Sequence, residues 1–68
     1  MNIEKTIEAM EENLEQYEET NAPDDRLDLK QTITGQIKSL RQAVATEGKK
    51  LTKVQEQIIT DIEEILSY

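Results

Sequence analysis

Residues 3–19 read IEKTIEAMEENLEQYEE, and this stretch decides the fold class. Ile3, Ile7, Met10, Leu14 and Tyr17 recur at steps of four, three, four and three residues. That spacing stacks all five side chains on one stripe of an α-helix, whereas a strand needs an apolar side chain at every second position. Glu4, Glu8, Glu11, Glu12, Glu15, Glu18 and Glu19 fill much of the remaining surface. The stretch therefore predicts an amphipathic helix over about residues 2–20, with an acidic exterior.

Thr20-Asn21-Ala22-Pro23-Asp24-Asp25 interrupts the pattern with turn and cap formers. Proline is tolerated in a first helical turn, where its missing N–H is no loss, and Asp24 and Asp25 then sit at the positive end of a helix dipole. A second helix over about residues 24–47 follows. Its stripe is Ile33, Ile37, Leu40 and Val44, again at four-three-four spacing, with Leu27 and Leu29 widening its start. Gly35 falls on the side opposite that stripe. It costs about 1 kcal/mol relative to alanine without ending the helix. Glu47-Gly48-Lys49-Lys50 reads as a stop, with Gly48 suited to a left-handed cap. Thr52 and Gln55 then match a capping box that opens a third helix over about residues 53–67. That helix carries Val54, Ile58, Ile59, Ile62, Ile65 and Leu66, the broadest apolar face of the three, broad enough for two neighbours or a second chain.

Short connections favour antiparallel neighbours. The expectation is an all-α fold, a small up-down-up three-helix bundle forming one domain over residues 1–68. A chain of 68 residues lies near the lower limit of independent folding, so a homodimer or a bound partner would add stability. With no cysteine and no histidine, disulfides and zinc held by those side chains are excluded. The opening Met1-Asn2-Ile3-Glu4 has neither the basic nor the apolar region of a signal peptide, and no apolar run approaches membrane-spanning length. A cytoplasmic protein with no membrane contact is expected.

The net charge of −7 is unevenly placed. Residues 1–20 carry seven glutamates against one lysine, residues 26–50 six basic side chains against two acidic, and residues 51–68 four acids against one lysine. One reading sets the basic middle helix between two acidic neighbours, with Lys30, Lys38 and Arg41 flanking glutamates across the seams. The other is nucleic acid mimicry. The glutamates of the first helix fall about one per 3 Å of its length, against one phosphate per about 3.4 Å on a strand of duplex DNA.

Chemistry of catalysis is poorly represented. Nucleophilic triads need a histidine or an equivalent base, and Lys38 and Ser39, as helix neighbours, point in different directions. The pairs Glu11/Glu15 and Glu63/Glu64 read as solvated faces. Asp24, Asp25 and Asp28 lack calcium-loop spacing and read as helix caps. A helix-turn-helix reader would put Glu56, Asp61, Glu63 and Glu64 on its recognition helix, so direct nucleic acid binding is not expected. Tyr17 is expected at the edge of the core, its hydroxyl at the solvent boundary.

These readings converge on a non-enzymatic, cofactor-free and metal-free protein-binding module, a regulator or inhibitor of a partner that is itself basic. Ile59 and Leu66, seven residues apart beside the main stripe of the third helix, would form its contact surface if the fold left them exposed. Glu8, Glu11, Glu15 and Glu18 would steer the partner. A structural, self-assembling homodimer through the broad apolar stripe of the third helix, Ile59 and Leu66 included, and a nucleic acid mimic are the alternatives.

Overall fold

Asn2 opens the first helix: its side-chain Oδ1 accepts the Lys5 backbone N–H at 3.0 Å, satisfying one of the donors that a helix start leaves unpaired. In the computed structural model, which describes residues 2–67, three α-helices follow one another. They are α1 (Ile3–Glu19), α2 (Pro23–Glu47) and α3 (Lys53–Leu66). Tyr68 lies outside the described residues. The architecture is the small all-α three-helix bundle expected from the stripes.

The junctions follow local chemistry. Gly48 takes φ 67°, its N–H and that of Lys49 both reaching the Val44 carbonyl, so α2 ends in a left-handed cap that a Cβ would strain. Thr52 Oγ1 accepts the Gln55 N–H at 3.1 Å while Gln55 Oε1 accepts the Thr52 N–H at 3.0 Å, completing the capping box. The start of α2 differs from expectation. Its N-cap is Ala22, which makes no side-chain bond, and Asp24 and Asp25 lie inside the first turn. They act on the helix dipole and cap no N–H. Asp28 is an exposed residue of the next turn.

Packing is asymmetric. At 1.5 Å per residue α2 is about 37 Å long and α3 about 21 Å. The molecule measures 39 Å along its longest axis, so α2 is its spine. α1 packs along α2 far more extensively than either packs on α3. The part-buried Asn13 Nδ2 donates to Gln36 Oε1 at 3.1 Å and pins the register of α1 on α2. The exposed Arg41 donates to Glu63 across the α2–α3 seam.

Each helix sends three buried side chains inward: Ile7, Met10 and Tyr17; Ile33, Ile37 and Leu40; Ile59, Ile62 and Leu66. Leu14, Leu29, Val44, Ile58 and Ile65 are partly buried around them. Leu29 widens the start of the α2 stripe as expected. Leu27 does not; it is 53% exposed, turned well around the helix from Ile33 and Leu40.

The expected contact pair on the third helix is overturned. Ile59 is 1% exposed and Leu66 5%, so both belong to the core. Two rows compete on α3, because Ile58-Ile62-Ile65 and Ile59-Ile62-Leu66 both have helical three-four spacing. In the structure the second row faces inward, and Glu63, beside that row, meets Arg41 on the α2 side. With that pair consumed by the monomer, the homodimer built on it has no support in the structure.

Two substitutions check this packing. Ile59→Asp places an unpaired carboxylate in the core and is expected to lower stability by about 4 kcal/mol or more. Urea denaturation followed by circular dichroism measures it, and a folded variant of near wild-type stability would show that Ile59 is peripheral. Gly35 is exposed in mid-helix with nothing within 4 Å of an added Cβ. Gly35→Ala should therefore stabilise by about 0.5–1 kcal/mol, a rise in Tm of a few degrees.

Candidate functional site

All seven glutamates of α1 are exposed. At 100° per residue they fall, in the order Glu18, Glu11, Glu4, Glu15, Glu8, Glu19 and Glu12, within an arc of about 120°. The apolar stripe occupies the adjoining arc, and Asn13 lies on that stripe's far side. Because Asn13 meets Gln36, α2 sits on the side of α1 remote from the glutamates. This geometry explains why the anticipated charge lacing is nearly absent. Lys30 and Lys38 form no ion pair with a described residue, Arg41 pairs with Glu63 of α3, and Lys49 lies 4.0 Å from Glu47. The arc, which includes the predicted Glu8, Glu11, Glu15 and Glu18, carries its charge without an ion-pair partner among the described residues.

The opposite end of the α1–α2 hairpin extends past α3 and is closed by Arg26. Its Nη1 donates to the carbonyls of Tyr17 and Thr20, both at 3.0 Å, and its guanidinium lies 4.2 Å from the centroid of the Tyr17 ring. The side chain thus satisfies carbonyls left unpaired at the end of α1 and covers the 6% exposed Tyr17. A shallow open depression there is lined by Tyr17, Pro23, Arg26, Leu27 and Lys30. Sequence reasoning did not single out Arg26. Its only signal was an arginine in the first turn of the helix that follows, a place from which it can reach back to the last carbonyls of α1.

At the α2–α3 turn, Lys49 and Lys50 stand beside Leu51 and Val44 in another open depression. No polar or charged side chain is buried among the described residues. The pairs Glu11/Glu15 and Glu63/Glu64 are exposed, as is Ser39, and the Ser67 hydroxyl donates to the Glu64 carbonyl at 2.7 Å. Among the described residues no group of carboxylates is arranged to hold a metal ion, and no helix is long and apolar enough to cross a membrane.

Comparison with protein-family models, curated proteins and solved structures finds no match to this chain. The site must accordingly be judged on its own geometry: one unpaired acidic arc, one clamped hairpin end and one core that takes up the inner face of α3.

Removal of the clamp is the direct check on the hairpin end. Arg26→Ala should cost about 1–3 kcal/mol, since it forfeits charge-assisted bonds to two carbonyls and the ring contact. Arg26→Lys should recover only part, because an ammonium lacks the planar fork. Chemical denaturation of both variants decides, and an unchanged midpoint for Arg26→Ala would show the clamp to be idle.

Proposed function

We propose that this protein is a non-enzymatic binding module that regulates or inhibits a basic protein partner through the glutamate arc of α1. The observation that carries the reading is the unpaired state of that arc. Like charges on adjacent turns of a helix repel by a few tenths of a kcal/mol per pair, so the fold gains nothing from concentrating them on one side. A partner bearing lysine and arginine gains complementarity and a faster encounter from the same arrangement. The long α2 holds the arc on a stiff support, which spares the ordering cost that a disordered acidic tail would incur on binding.

Nucleic acid mimicry is the second reading, favoured by one feature. The charge runs unbroken along one side of α1 at a spacing close to that of phosphates on a duplex strand. A groove that accepts a phosphate backbone would accept this face.

A pull-down from the native host tests both. Wild-type protein should retain a basic partner that elutes as salt rises to about 0.3 M, because exposed charges are screened over about a Debye length. The variant with Glu8, Glu11, Glu15 and Glu18 all replaced by glutamine should lose that partner while keeping its helical spectrum. Displacement by duplex DNA marks the partner as a nucleic acid binder and favours mimicry; an indifferent complex favours an ordinary protein contact. Equal retention by wild type and variant would refute the role of this face.

A further inference from the structure

The seam between α1 and α3 combines the acidic arc with the apolar side chains that α3 leaves outside the core. Two cross-helix contacts fix the roll of the helices. Asn13 faces α2, which turns the opposite edge of the α1 stripe, Ile7 and Leu14, toward α3. Glu63 faces α2, which turns the Val54-Ile58-Ile65 row toward the α1 side. Ile3, Thr52 and Gln55 line one depression at the common end of the two helices. Carrying that register upward at equal rise sets Ile7 level with Ile58 and Leu14 level with Ile65, and Glu11 within one residue of the level of Asp61.

The seam is incompletely closed. Val54 is 69% exposed, and Ile58, Ile65 and Leu14 are only partly buried. Its edges carry one sign of charge. Glu11 and Glu18 are the glutamates nearest the α1 stripe, and Asp61 and Glu64 lie along the outer side of the α3 row. All four are exposed, and none forms an ion pair with a described residue. The Asp61 carboxylate is held toward Gln57, whose Nε2 donates to it at 2.9 Å. Lysines gather at the turn end, where Lys49 and Lys50 adjoin Glu4 and the exposed Lys53 opens α3.

We infer that the α1–α3 seam is the docking site for an amphipathic basic helix of the partner. That occupant is chosen by charge complementarity. A helix laying leucine-like side chains at three-four spacing along Val54, Ile58 and Ile65 places its own flanking lysines and arginines against Glu11 and Glu18 on one edge and Asp61 and Glu64 on the other. A second copy meeting it through the same seam does not fit, because it would bring like charge to both edges. The inference rests on the proposed basic partner and adds where, and in what form, that partner binds.

The test uses the whole protein and two synthetic peptides of equal composition, about four turns long. One has leucines at three-four spacing and lysines elsewhere; the other is its scramble. The amphipathic peptide should bind at least about tenfold tighter than the scramble, with amide shift changes centred on Val54, Ile58, Ile65 and Glu11. Val54→Asp should erase that preference. It keeps the fold, since Val54 is exposed and aspartate suits the first turn of a helix, and it adds charge that would only attract the peptide more. Leu27→Asp, at the far end, should leave the preference intact. Equal binding of both peptides, or a preference that survives Val54→Asp, would overturn the seam while leaving the acidic arc as a contact surface. Failure of both peptides to bind at low salt would remove both.

Discussion

Everything in this fold depends on the economy of a very small core. Nine hydrophobic side chains among the described residues are buried, three from each helix, and α2 carries the central set. With so few, none is dispensable to the monomer. A large aliphatic side chain gains about 2 kcal/mol on burial, a substantial part of the total stability of a domain this size. The inner face of α3 is therefore committed to folding, and recognition falls to the exterior and to the flank that α3 leaves half covered. The same constraint places the charge. Glutamates excluded from the α1–α2 seam gather on the one side of α1 that no helix covers.

The polar interactions select the arrangement more than they stabilise it. Exposed ion pairs such as Arg41 with Glu63 contribute roughly 0–1 kcal/mol. That pair accompanies the roll of α3 that buries Ile59, Ile62 and Leu66. Asn13 and Gln36 pin the register of α1 on α2, since a slip along the helix would leave both amides part-buried and unpaired. Arg26 fastens the hairpin end where α3 no longer reaches.

Local features of the chain were legible before any coordinates. The stripes of α1 and α2, the left-handed cap at Gly48 and the capping box at Thr52 are each specified by residues within a turn of one another. What escaped depends on how helices meet. Ile59 and Leu66 looked peripheral because two rows on α3 share helical spacing, and choosing between them requires knowing how α3 sits on the other two helices. Arg26 acts on carbonyls of the preceding helix, a contact that no periodicity encodes. Lys30 and Lys38 were expected to face glutamates, but the contact of Asn13 with Gln36 puts α2 on the other side of α1. Asp24 and Asp25 were placed correctly near a helix start, yet the cap itself fell to Ala22, whose side chain has no acceptor. The acidic face of α1 was visible as a composition; its lack of ion-pair partners needed the third dimension.

Native-state amide hydrogen exchange tests the central claim most directly, namely that the inner face of α3 is core and the three helices form one cooperative unit. The amides of Ile59, Ile62 and Leu66 should show slow exchange of the same order as those of Ile33, Leu40 and Met10, all lost together as denaturant rises. Exchange of α3 at the rate of a free peptide, while α1 and α2 remain protected, would contradict the account, for the apolar face of α3 would then be available to a partner.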